Sequence, residues 1–159
     1  MTYKASVITV STRAYRGEYE DKSGKVLETL LKEFGFRDVE KVIVSDDKKM
    51  LKNQLLKFCK KYQLIITTGG TGVASSDITP DVCLKISDRI VPGIAEEIRN
   101  KSVKEAPNAL LSRAVCVIRK KTLIINFPGN PDACRQCFEI VKPVLLHALG
   151  LINGQKLDK

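Results

Sequence analysis

The sequence predicts a three-layer α/β protein: a mostly parallel sheet with helices on both faces and one β-hairpin. Two observations carry that prediction. Short β-branched runs (Tyr3–Val10, Val39–Val44, Leu64–Thr67) alternate with segments of helical period, the pattern of a largely parallel sheet. Two later β-rich runs, Ala114–Ile118 and Thr122–Phe127, are separated only by Arg119-Lys120-Lys121, which fits a hairpin although its turn has no Gly.

The elements follow in order. Ala5, Val7, Ile8 and Val10 make a buried first strand, and Ser11–Lys22 follows as a polar loop. A helix starts at Ser23, with Val26, Leu27, Leu30, Leu31 and Phe34 on one face, and Gly35 ends it. After the second strand, Ser45-Asp46-Asp47 opens a helix that places Leu51, Leu55, Phe58, Cys59 and Tyr62 on one side. One of the two aspartates suffices as its cap, since carboxylates favour the positive end of the helix dipole.

The third strand runs into Gly69-Gly70-Thr71-Gly72, and a helix is expected from Pro80 to about Asp88, with Thr79 capping it. A further helix spans Pro92–Lys101, and Asn108–Arg113 reads as a loop or short turn. Beyond the hairpin, Asn130 caps a last helix that begins with Pro131 and packs through Cys137, Phe138, Val141, Leu145 and Leu149. Pro143 should kink it, and Gly150 onward reads as a frayed tail. Residues 1–150 are expected to form one domain and 151–159 a C-terminal tail.

Composition narrows the class. With 43% hydrophobic and 28% charged residues in 159, the chain has the balance of an ordinary soluble globular domain. Its longest apolar stretches, Val144–Ile152 and Leu123–Phe127, fall far short of the ~20 residues of a membrane span. No basic segment precedes an apolar one at the start, so no signal peptide is expected and the cytoplasm is the expected location.

The five cysteines lack scaffold spacing and suit reduced thiols. Cys134 and Cys137 lie within a helical pattern, with a single histidine in the chain, His147, which argues against zinc or thiol redox chemistry. The net charge of +9 allows anionic partners. Few aromatics interleave with the lysines, which counts against nucleic acid.

The stretch Leu64–Asp81 is the chemical centre. Strand, glycine loop and helix start form the usual layout of a phosphate cradle, because glycines bring bare amides close to an anion. A tight turn would need no more than the glycines. Here Thr68, Thr71, Ser75 and Ser76 add hydroxyls, and Asp77 adds a carboxylate, which suits a cation shared with a phosphate. No Lys follows the glycines, so this is not a P-loop.

In a parallel sheet four junctions would converge at the carboxyl ends of the strands: Ser11-Thr12-Arg13, Asp46-Asp47, Gly69–Asp77 and Pro128-Gly129-Asn130. The resulting candidate contacts are Ser11, Arg13, Thr68, Gly69, Gly70, Thr71, Gly72, Pro128 and Gly129, with Asp46 and Asp77 as two separated carboxylates that suit Mg²⁺ shared with a phosphate chain.

These residues resemble the MogA/MoaB family. The matching pieces are Thr67-Thr-Gly-Gly-Thr-Gly72, Asp77-Ile-Thr-Pro-Asp81, Gly17-Glu-Tyr-Glu-Asp-Lys-Ser-Gly24, Leu111-Ser-Arg113 and Leu123-Ile-Ile-Asn-Phe-Pro-Gly-Asn-Pro131, in family order over nearly the whole chain. Members with adenylyltransferase activity resemble this chain in having an Asp after the second strand and another after the glycine loop, here Asp46 and Asp77. Ser112 and Asn126 match positions resembling substrate contacts in plant members. Ser76 stands where Arg is frequent, Thr12 where Asp is common, and Lys120 where Gly is usual.

The resemblance implies transfer of AMP from Mg-ATP to the terminal phosphate of molybdopterin, with pyrophosphate as the second product. It also implies a homotrimer and a molybdenum-insertase partner. A family member that binds molybdopterin without strong catalysis is the alternative, which Ser76 leaves open.

Overall fold

The computed structural model describes residues 2–156. The elements in chain order are β1 (Ala5–Val10), α1 (Thr12–Tyr15), α2 (Lys22–Phe34), β2 (Val39–Val44), α3 (Lys48–Cys59) and β3 (Leu64–Thr68). They continue with α4 (Thr79–Ile86), β4 (Arg89–Ile90), α5 (Pro92–Glu105), a 3-10 turn (Pro107–Leu111), β5 (Cys116–Arg119), β6 (Thr122–Phe127) and α6 (Pro131–Ile152).

The sheet has the order β2-β1-β3-β6-β5-β4. Its first four strands are mutually parallel, while β5 runs antiparallel to both β6 and β4. Alternation along each strand divides the core. Val7, Leu64, Ile66, Leu123 and Ile125 meet Leu27 and Leu31 of α2, Ile98 of α5 and Phe138, Val141 and Leu145 of α6. Ile8, Val10, Ile65 and Ile124 meet Leu51, Leu55 and Phe58 of α3 and Val82, Cys83 and Ile86 of α4 on the other face. The predicted three layers are therefore present. Each fully buried Leu or Ile contributes roughly 1.5–3 kcal/mol through removal from water.

The register aligns the strand ends. Val10 lies opposite Val44, Thr9 opposite Thr68, and Thr68 opposite Phe127. The segments after β1, β2, β3 and β6 consequently leave from one edge of the sheet.

Several boundaries differ from the sequence expectation, for local reasons. The polar loop after β1 contains α1, a single turn capped by Ser11, whose hydroxyl accepts from the Ala14 amide at 3.2 Å. Only Ala14 is buried there, so no apolar period marks it. Thr79 does not cap α4: its hydroxyl instead donates to the Gly69 carbonyl at 3.0 Å, and Ile78 occupies the cap position without a side-chain bond. β4, at two residues, is too short to register as a pattern. α5 extends to Glu105, past Lys101, through a polar last turn. Part of the expected 108–113 loop is the 3-10 turn.

In place of a frayed tail from Gly150, α6 continues to Ile152 with Gly150 buried, and it runs unbroken through Pro143. Residues 157–159 of the expected tail lie outside the described residues. The hairpin turn without glycine is made by Lys120 in the left-handed region (φ 51°), its amide donating to Asp88.

Candidate active site

The four junctions expected to converge do so, and hydrogen bonds tie them together. The Ser11 amide donates to Val44 O at 2.9 Å, joining β1's exit to that of β2. Thr68 Oγ1 donates to Pro128 O at 2.7 Å, and the Gly69 amide to Phe127 O at 3.1 Å, joining β3's exit to that of β6.

Asp47 and Asp46 have different roles. Asp47 caps α3, accepting from the Met50 amide at 2.7 Å. Asp46 is thereby released to face Thr12: its Oδ2 accepts from the Thr12 amide at 2.9 Å and the Thr12 hydroxyl at 2.8 Å. The Asp46 amide donates back to Thr12 Oγ1 at 3.0 Å. Thr12 is thus the residue that orients Asp46. The other carboxylate oxygen of Asp46 has no protein partner among the described residues.

The glycine loop is held from behind. Gly69 (φ 96°) lies so close to β1 that a Cβ would stand 2.5 Å from Val10 O. Gly70 (φ 65°) is backed by Thr79, whose amide donates to Gly70 O at 3.1 Å. The Thr71 and Gly72 carbonyls accept from the Arg113 amide at 2.8 Å and Arg113 Nε at 2.7 Å. With their carbonyls so engaged, Gly70, Thr71 and Gly72 keep amides that donate to no acceptor among the described residues. Gly69 is the exception to the expected cradle, since its amide completes the β3–β6 ladder. Thr68 is likewise buried and committed to Pro128.

Asp77 sits against this loop. A Cβ on Gly72 would lie 2.7 Å from Asp77 Oδ2, and that oxygen accepts from the Ala74 amide at 3.0 Å. Arg113 braces the arrangement. It reaches Asp77 O at 2.6 Å and makes a two-pronged pair with Asp81, both bonds 3.0 Å. The hydrogen bond from Arg113 holds the Asp81 carboxyl below its ordinary range. Arg113 and Asp81 lie in the sequence pieces matched above, but their pairing joins segments distant in sequence and leaves no local signal.

The remaining candidates take different places. Arg13 is exposed on α1, with its guanidinium 5.6 Å from the Tyr19 ring centre. Ser112 lines a cavity of about 270 Å³ beside the loop, shared with Thr71, Gly72, Arg99, Pro128 and Gln136. Gly129 packs on Gly69, and Asn130 caps α6 through the Asp132 and Ala133 amides. Asn126 is 1% exposed. Its amide group donates to Thr67 Oγ1 at 2.9 Å and Cys83 Sγ at 3.4 Å, and its oxygen accepts from the Val115 amide. From β6 it joins β3, α4 and the residue preceding β5.

The Asp21 segment is structural. Asp21 caps α2 at Gly24 and accepts from Thr9, and Gly24 has no room for a Cβ. All five cysteines are free, and burial pushes Cys134 to about 11 and Cys137 to about 12. Among the described residues no three His, Cys, Asp or Glu side chains cluster as a metal site.

Unpaired loop amides at the carboxyl edge of a parallel sheet, with the Asp77 carboxylate beside them, have the form of an α/β ligand site. The chain belongs to the family described as "probable molybdopterin binding domain", whose profile matches residues 6–147. It is 41% identical over 161 residues to a molybdopterin adenylyltransferase of Helicobacter pylori J99, covering 99% of this chain and 92% of that one. Against the enzyme of the same name from Escherichia coli K12 it is 37% identical, covering 89% and 74%. Among solved structures it superposes on a molybdopterin biosynthesis enzyme MoaB from Thermus thermophilus (TM-score 0.89, 36% identity, 99% and 100% coverage). The Mog protein of Mycobacterium ulcerans gives a TM-score of 0.91 at 35% identity, covering 95% and 99%.

Proposed function

We propose that the chain is a molybdopterin adenylyltransferase, moving AMP from ATP to the terminal phosphate of molybdopterin and releasing pyrophosphate. The observation that carries this reading is the Asp77 carboxylate packed on Gly72, beside the free amides of Gly70, Thr71 and Gly72. A phosphate oxygen of molybdopterin attacks the α-phosphorus; the new O–P bond forms as the bond to the β-phosphate oxygen breaks. The attacking phosphate monoester, with a second pKa of about 6, is already anionic near neutrality, so no strong base is required. The chain must position the two phosphates and neutralise charge, and the loop amides do both.

The donor set fits magnesium, which takes one or two carboxylates and draws its remaining ligands from water and phosphate oxygens. Asp46 and Asp77 each keep one oxygen without a protein partner among the described residues, and they would hold the ion. Bound there, Mg²⁺ would neutralise phosphate charge. Thr12 and the Ala74 amide fix the orientation of the two carboxylates. Ser112 and its cavity offer the pterin a pocket on the α5–α6 side.

The same reading includes a homotrimer in the cytoplasm that hands its product to a molybdenum insertase. An apolar groove of about 420 Å³ between α5 and α6, lined by Val91, Ile94, Ile140, Val144 and Leu151, supports self-association. The rival within the family binds molybdopterin without strong catalysis; Ser76 in place of Arg leaves it room, and Asp46 counts against it. Chromatography of a reaction containing protein, molybdopterin and Mg-ATP decides between them. Adenylylated molybdopterin and equimolar pyrophosphate are expected; tight molybdopterin binding without product would establish the rival.

A further inference from the structure

A second cavity, of about 340 Å³, opens between α3 and α4, on the opposite face of the sheet from the Ser112 pocket. Lys48, Lys49, Lys52 and Lys85 line it, with Asp81 and Val82. Lys48 and Lys49 occupy the first turn of α3, where the dipole disfavours cations and the only carboxylate is that of the capping Asp47, engaged by the Met50 amide. None of the four lysines has a carboxylate within salt-bridge distance among the described residues, whereas Lys25, Lys32, Lys41, Lys61, Lys101 and Lys142 do. The single acid on the wall, Asp81, is taken by Arg113.

A solvated basic face would spread such charges. Here four exposed lysines from two helices line one cleft, a concentration of positive charge that an anion would offset. The cleft is tied to the candidate site through chain and hydrogen bonds. Lys48 follows Asp46 by two residues, and Arg113 links Asp81 to the carbonyls of Gly72 and Asp77.

We propose that this lysine cleft holds the β- and γ-phosphates of the nucleotide and then the departing pyrophosphate. The inference rests on the adenylyl-transfer reading above. It divides the substrates between the two faces: pterin on the α5–α6 side, the polyphosphate on the α3–α4 side, and the α-phosphate at the loop between them. As the bond from the α-phosphorus to the β-phosphate oxygen breaks, its electron pair stays on that oxygen, and the ammonium groups stabilise the charge that accumulates there.

Titration calorimetry of the full chain with Mg-pyrophosphate tests this. Binding is expected, weakened by about tenfold in each of Lys48→Ala and Lys85→Ala, as removal of a charge-assisted hydrogen bond predicts. Lys48→Gln and Lys85→Gln, which remove the charge but keep most of the stem and a polar tip, should lose as much, and Lys60→Ala, outside the cleft near the C-terminal end of α3, should bind as the wild type does. In steady-state assays the KM for ATP should rise about tenfold in the two lysine variants, with molybdopterin affinity unchanged. Absence of pyrophosphate binding by the wild type, or equal affinity in the variants, would overturn the proposal. Lysine-dependent pyrophosphate binding in a protein that forms no adenylylated molybdopterin would support the cleft and reject the reaction.

Discussion

Gly69→Ala is the substitution for which the structure gives the clearest magnitude. The backbone there has φ 96°, and the new Cβ would stand 2.5 Å from the Val10 carbonyl oxygen. Val10 cannot retreat cheaply, because β1 is hydrogen-bonded between β2 and β3. Gly69 is fixed on its other side by the hydrogen bond its N–H donates to Phe127 O. A left-handed conformation for a non-glycine residue costs about 1–2 kcal/mol. Overpacking against rigid backbone adds about 1–3 kcal/mol. The sum, roughly 2–5 kcal/mol, corresponds to a fall in Tm of roughly 4–20 °C for a domain of this size.

Gly17→Ala is the internal control. Gly17 also has positive φ (75°), but nothing lies within 4 Å of its Cβ position, so only the conformational cost applies. Thermal unfolding followed by circular dichroism should rank wild type, Gly17→Ala and Gly69→Ala in falling order. A Tm for Gly69→Ala equal to or above that of Gly17→Ala would refute the close-approach argument.

Three other substitutions probe the brace and the groove. Arg113→Ala should lower kcat by about tenfold or more through disorder of the glycine loop, while the exposed pair with Asp81 contributes only about 0.5–1 kcal/mol of stability. Because the folded carboxyl of Asp81 is depressed, its contribution is present above the unfolded value of about 3.9 and fades as pH falls through the folded one. Asp81→Asn should therefore be less stable than wild type at pH 7, and the difference in Tm should close at low pH. Val144→Glu places a charge in the apolar groove of α5 and α6, where Val144 is 48% exposed in the single chain, and should convert an oligomer to monomers by light scattering.

The sheet was legible because its strands are short apolar runs bounded by polar or glycine punctuation, and Val39–Val44 and Thr122–Phe127 have the expected limits. The convergence of the four junctions followed from parallel topology alone. What the sequence hid lies in groups whose local role is overridden by a distant partner. Thr79 looks like a cap but donates to Gly69, and the Gly69 amide looks free but belongs to the ladder with β6. Arg113 and Asp81 become a brace only when the turn after α5 meets the start of α4. The lysine cleft left no signal in the sequence because Lys48, Lys49 and Lys52 share a wall with Lys85 only in three dimensions.

The most direct test of the central claim is single-turnover formation of adenylylated molybdopterin by wild type, Asp46→Asn and Asp77→Asn at saturating molybdopterin and Mg-ATP. If the two carboxylates flank the reacting phosphates as proposed, both variants retain the fold and bind molybdopterin but lose about a hundredfold or more in rate, the size expected for removal of one preorganised charged group. Near-normal turnover in both variants would contradict the assignment of the site.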